Sequence, residues 1–169
     1  MFSIRVLPLV ILLLCGEVFA STLTVGQGSV QPGETAVTVP LTLTVSSGDI
    51  VAALQTDVGF NSDALNLSSI SAGPSATAAN KNVSFSVQAP GSVKVIIAGL
   101  NQTAIPDGVV ANMVFEVKQS AIAGVQAILL DEVLAADPTG VSVPVNAISG
   151  GITVSATSEG EVGEGEGES

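Results

Sequence analysis

In "AVTVPLTLTV" every second side chain is apolar: Val37, Val39, Leu41, Leu43 and Val45 alternate with Thr38, Pro40, Thr42 and Thr44. Successive residues of a strand point to opposite faces, so this alternation predicts a strand with one face turned to a core. The same alternation recurs in "NVSFSVQ" (Val83, Phe85, Val87) and "VVANMVFEVK" (Ala111, Met113, Phe115, Val117). In "ALQTDVGF", Leu54, Val58 and Phe60 share one parity while Ala53, Gln55, Asp57 and Gly59 share the other. "GGITVSA" closes the pattern with Ile152 and Val154, and "LTVGQ", "ALNLSSI", "SVKVIIAG" and "VQAILLDEV" are further candidates. The predicted core is Val39, Leu41, Leu54, Val58, Phe60, Phe85, Val95, Phe115, Val117 and Ile152.

Turn chemistry separates these runs: "QPGE", "SSGD", "NSD", "SAGPS", "APG", "PDG", "DPTG" and "SGG". Glycine supplies positive φ, proline presets φ, and Asn or Asp side chains bond nearby backbone. "DPTG" reads as a hairpin loop between "DEVLAA" and "VSVPV". The nearest approach to a helical period, "QSAIAGVQAILLDEVLAA", is interrupted by Gly124 and reads better as strand. Pro40 has no amide to donate, which predicts an edge strand or a bulge there. About nine short strands at this spacing predict an all-β fold, an antiparallel sandwich or jelly roll.

The two ends differ from this body. Residues 1–20 carry Arg5, an apolar run over 6–14 and the closing triplet Val18-Phe19-Ala20, the pattern of a secretory signal peptide cleaved after Ala20. The run is shorter than the roughly 20 residues a membrane span needs. Lipid attachment at Cys15 is the rival reading, and Leu14 is bulky for it. Residues 157–169 alternate Glu and Gly with no recurring apolar position; they cannot offset ordering entropy and read as a flexible tail or linker. That leaves residues 21–156 as one domain, large enough for one substantial core.

Cleavage would remove the only cysteine, so the body must hold by packing alone. It would also leave Lys81, Lys94 and Lys118 against fourteen acids, five of them in the tail. So acidic a surface repels phosphate backbones and argues against nucleic acid. With no His anywhere, Ser-His-Asp triads, Cys-His pairs and His/Cys zinc sites are excluded from the mature chain. "GQGSVQPG" lies between strands, so it is not a phosphate loop opening a helix. Asp57 and Asp63 could form a carboxylate pair, but a solvated strand face and a turn explain them better. "LLDEVLAADPTG" brings Asp131, Glu132 and Asp137 close in sequence. On a regular strand Asp131 and Glu132 would face opposite ways, so a solvated hairpin is the better reading than calcium. Phe60, Phe85 and Phe115 share the apolar parity of their strands, which favours core packing over a sugar-stacking platform. Asn66, Asn82 and Asn101 each begin an N-x-Ser/Thr triplet, a glycosylation acceptor only in a suitable host. No cofactor, metal site or catalytic residue is expected.

The order of motifs resembles a cohesin domain. "VGQGSVQPGETAVTVPLTLT" is similar to its opening strand, turn and "V-x-V-P-V" strand. "VAALQTDVGFNSDALNLSSISAG" is similar to its next strand, corner and strand, with Phe60, Asn61 and Ser62 where the family has Tyr, Asp and Pro. "PDGVVANMVFEVKQSAIAG" and "DPTGVSVPVNAISGGITV" resemble the later strand and the closing hairpin. The resemblance implies a nine-stranded jelly-roll sandwich and a non-catalytic protein–protein module. Cohesins hold dockerin-bearing enzymes in extracellular polysaccharide-degrading assemblies. The expected partner is therefore a dockerin-like domain or a polysaccharide-associated protein, met outside the cell or at its surface. The resemblance places partner binding on the outward face of "ALQTDVGF", at Ala53, Gln55 and Asp57, with Ala53 and Gln55 standing where many cohesins carry Asn and Asp. A carbohydrate-binding module of the same fold and a structural or adhesive surface domain are the alternatives.

Overall fold

The computed structural model describes residues 20–31 and 36–156. The signal-peptide and tail readings fall on residues 1–19 and 157–169, outside the described residues. The rest is a sandwich of two sheets. One has the order β11 (Val145–Ile148), β1 (Ser21–Val25), β3 (Val37–Thr44), β8 (Gly108–Val117), β5 (Leu65–Ala72). The other runs β2 (Gln27–Val30), β12 (Gly150–Val154), β9 (Gly124–Ala136), β4 (Ala53–Phe60), β7 (Ser92–Ala98), β6 (Asn82–Ala89), with the short β10 (Ser142–Val143) pairing β9. Among the described residues a single five-residue helix, α1 (Pro74–Ala78), links β5 to β6. The twelve strands among the described residues outnumber the nine expected because short edge pieces are separate elements. "QSAIAGVQAILLDEVLAA" is indeed strand, the long β9.

Most pairings are antiparallel; two edge pairs, β1 with β11 and β12 with β2, are parallel. They arise where the chain crosses between sheets. β1 passes into β2 at Gly26, and β11 passes into β12 just before Gly150. The two crossings touch: a Cβ on Gly150 would run into the carbonyl oxygens of Val25 and Gly26, so only glycine fits.

The same crossing explains Pro40. It does not mark an edge, since β3 lies between β1 and β8. Gly26 N donates to Pro40 O at 2.8 Å, and the Gly26 carbonyl, which would otherwise receive an amide from position 40, accepts from Gly151 N at 3.4 Å. The missing donor therefore falls where β1 has already left the sheet. The bulge lies one step on, in a register shift between Leu41 and Thr42 against β8.

The inward-facing residues form one apolar cluster. Leu23, Leu41, Leu43, Leu65, Ile97, Met113, Phe115, Ile128 and Ile152 are fully buried within it. Phe60 is half-buried and meets Phe115 edge-on, ring centroids 5.3 Å apart at 79°. Phe85 departs from the expected core, being 41% exposed. Its parity is inward, but β6 ends the sheet, and the open groove it lines beside β5 leaves the ring uncovered.

Candidate docking face

The outward face of the larger sheet is flat and built in rows across β9, β4, β7 and β6. One row reads Leu134, Gln55, Ile96, Ser84; the next reads Asp131, Asp57, Lys94, Ser86. Gly59 lies between Leu129 and Ser92 one row further along. The expected residues Ala53, Gln55 and Asp57 are thus brought together on β4, all half-buried.

Asp57 does not stand free. Lys94 Nζ lies 2.6 Å from its Oδ1, and both side chains keep only about a quarter of their exposure (25% and 26%). That oxygen is shut off from solvent with no directed hydrogen bond, so the ion pair is its compensation. Glu132 Oε2 approaches the same ammonium at 3.9 Å.

Glu132 reaches this face through a bulge. Between the pairs Gln55–Leu134 and Asp57–Asp131, β9 spends one residue more than β4. Glu132 has φ +46°, a left-handed conformation uncommon outside glycine. The Thr56 hydroxyl donates to the Asp131 carbonyl at 3.0 Å and fastens the bulged strand to β4. Asp131 and Glu132 are consequently both exposed, whereas a regular strand would have turned them to opposite faces.

Around this charged centre the face is apolar. Ile96, Val125, Leu129 and Leu134 are exposed large hydrophobics. Ala53, Gln55, Ile96, Ala98, Leu134 and Ala136 line a shallow depression of about 230 Å³. Alternation within "ALQTDVGF" points to β4 alone and not to these neighbours. A signal was present: "VKVIIAG" and "AILLDEV" place apolar residues on both parities, as at Val95-Ile96-Ile97 and Ile128-Leu129-Leu130. Such doubling means that both faces of the strand are suited to burial.

The other candidate chemistries are occupied elsewhere. Asp137 accepts from the Thr139 hydroxyl and the Thr139 and Val141 amides, and so builds the β9–β10 hairpin loop. These bonds, the Thr139 hydroxyl foremost, hold its carboxyl below the usual range. Asp63 lies in the turn after β4, its amide donating to Asn61 Oδ1 at 3.0 Å. Among the described residues no three His, Cys, Asp or Glu side chains gather as metal ligands would. Phe60, Phe85 and Phe115 all have inward parity, so none offers this face an aromatic ring. Asn66 donates to Glu116, and the Asn101 amide oxygen accepts from the buried Lys81. No described helix is long and apolar enough to cross a membrane.

Solved structures share this architecture. The sixth cohesin of Acetivibrio cellulolyticus scaffoldin B, solved with a Cel5 dockerin variant, is 23% identical with a TM-score of 0.72, covering 80% of this chain and 99% of its own. A cohesin from Clostridium thermocellum, in the Coh-OlpA–Doc918 complex, is 18% identical with a TM-score of 0.71, covering 80% and 99%. The non-cellulosomal cohesin of the archaeon Archaeoglobus fulgidus is 21% identical with a TM-score of 0.68, covering 83% and 95%. No curated protein matches the chain in sequence. The cohesin domain family model matches residues 21–154, the whole sandwich from β1 to the end of β12, and the chain belongs to the cohesin domain family.

Proposed function

We propose that the protein is a non-catalytic docking module that binds a helical, dockerin-like partner on the outward face of the β9–β4–β7–β6 sheet. The observation that carries this reading is the face itself: Ile96, Leu129 and Leu134 stand exposed around a half-buried Lys94–Asp57 pair. A flat face of small and apolar side chains can be desolvated at little cost, and the ion pair fixes orientation. Similar cohesins are solved with dockerins, which supports the class of partner. Ala53 and Gln55 offer no carboxylate for charge-assisted bonds, so specificity differs from that of cohesins with Asn and Asp there, or affinity for their dockerins is weak. Residues 1–20 direct export, and residues 157–169 tether the domain in an extracellular or surface assembly that acts on polysaccharide.

The test is binding of a panel of immobilised dockerin modules, the Cel5 dockerin of Acetivibrio cellulolyticus among them. At least one binds, and Gln55→Arg and Leu134→Lys each weaken it about tenfold or more. Binding unmoved by both substitutions would put the partner elsewhere, and no binding at about 1 mM overturns the dockerin reading.

A further inference from the structure

The sandwich has four sheet ends: β2 and β6 in the larger sheet, β11 and β5 in the smaller. An end strand leaves a row of unpaired N–H and C=O groups, which proteins blunt by brevity, bulges, charge or proline. Three ends are defended. β2 and β11 have four residues each, and the ladder of β5 is broken between Leu67 and Ser69.

β6 is the least defended of the four. It runs eight residues, "NVSFSVQA", with no charge and no proline. Its ladder with β7 is unbroken over the six residues from Asn82 to Val87 and shifts register only at the far end, between Val87 and Ala89. Phe85 and Val87 stand 41% and 69% exposed on its inward side, lining the open groove beside β5. The electrostatics favour approach here. Between Asp63 and Asp107, the stretch that holds β5, β6 and β7, the sequence has no acidic residue, in a chain of formal charge −11; of its two lysines Lys81 is buried and Lys94 is paired with Asp57. Two copies meeting along β6 therefore bring no carboxylate of that strand against another.

We propose that β6 pairs antiparallel with β6 of a second copy about a two-fold axis, fusing the two larger sheets into one. Such an axis at Phe85 or Ser86 sets residues of equal parity opposite each other. Ser84 and Ser86 then remain on the outward face, while Phe85 and Val87 meet their counterparts on the inward side. A foreign strand would have to match this uncharged alternation; a second copy supplies it by symmetry. The docking faces of the two copies would lie side by side on a continuous sheet, presenting two sites for a bivalent partner.

The test uses the protein whole apart from residues 1–20. Sedimentation equilibrium should show a reversible dimer, and hydrogen exchange at residues 82–87 should slow about tenfold or more as concentration rises. Val87→Lys and Ser86→Lys, both at exposed positions, should each raise the dimer dissociation constant at least about tenfold without lowering the melting temperature. A protein monomeric to about 1 mM overturns the proposal, including one that instead captures a strand from another protein. A dimer whose β6 amides stay unprotected, or which forms equally well in both variants, overturns it too.

Discussion

Lys94 Nζ lies 2.6 Å from Asp57 Oδ1 at the middle of an otherwise uncharged stretch of β4 and β7, with Gln55–Ile96 on one side and Gly59–Ser92 on the other. The pair is cross-strand and directly opposed, the geometry in which side chains of a sheet couple most strongly. Asp57→Ala leaves an ammonium with Glu132 alone, 3.9 Å away and far more exposed. Partial exposure limits the cost, so Asp57→Ala should lower stability by about 1 kcal/mol. A double-mutant cycle with Lys94→Ala, read from denaturant melts, should return a coupling of about 0.5–1 kcal/mol. A coupling of zero would make the pair an orienting device for the partner only.

Two phenylalanines of equal parity should respond very differently to truncation. Phe115 is fully buried and edge-on to Phe60. Phe115→Ala should cost about 3–5 kcal/mol, through lost transfer energy and the cavity left behind. Phe85 already faces solvent on the end strand, so Phe85→Ala should cost less than about 1 kcal/mol. Denaturant melts of the two variants check the contrast, and equal losses would mean that the groove beside β5 is closed in solution.

The same contrast marks what the sequence could and could not convey. Val39, Leu41 and Phe115 lie on the apolar parity of their strands and are buried, because those strands are covered by the opposite sheet. Phe85 alternates equally well and is not, because parity names a face but not whether the other sheet reaches it. The β9 strand was legible despite Gly124, yet its bulge was not: nothing in "LLDEVL" announces a positive φ at Glu132. Alternation alone is enough to set Ala53, Gln55 and Asp57 on one face of β4. Their partners Lys94, Ile96, Leu129 and Leu134 come from strands whose order depends on long-range pairing, which local pattern does not fix. The missing donor of Pro40 is legible in the sequence, but not that the sheet accommodates it by sending β1 away at Gly26.

The β9–β10 hairpin should loosen in acid. The Thr139 hydroxyl and the Val141 and Thr139 amides favour the ionised form of Asp137 and lower its pKa from the ordinary 3.8. A carboxyl lowered on folding contributes stability that is fully present above its unfolded value and lost as pH falls through its folded value. The hairpin should therefore keep its bonds down to pH 3.8 and lose them below it. Amide resonances of Thr139 and Val141, followed by NMR from pH 6 downward, should move together with one sub-ordinary midpoint. In Asp137→Asn that midpoint should vanish, and its persistence would assign the titration to another acid.

The last prediction concerns the point where the two sheets exchange chain. Gly150 opens β12 at the spot where β1 turns into β2, and a Cβ there would overlap the carbonyl oxygens of both Val25 and Gly26. Backbone cannot step aside as a flexible side chain does, because Gly26 is itself fixed by its bond to the Pro40 carbonyl and by the Pro40 ring, 2.7 Å from where its own Cβ would be. Gly150→Ala must therefore push the β11–β12 crossing away from β1, breaking the weak Gly151 N–H to Gly26 O bond and straining the parallel pairings on either side. Ordinarily a glycine-to-alanine change stabilises by reducing unfolded-state entropy, by about 0.4–1 kcal/mol. Here steric overlap should reverse the sign and cost about 2 kcal/mol or more. Gly124→Ala is the comparison: it has open space around its Cβ but φ +127°, so its penalty should come from backbone conformation alone. Denaturant melts of both variants, with hydrogen exchange across residues 21–30 and 145–154, distinguish the two causes. Faster exchange on both sides of the crossing is expected for Gly150→Ala and not for Gly124→Ala. Unchanged stability in Gly150→Ala would mean that the two crossings do not touch.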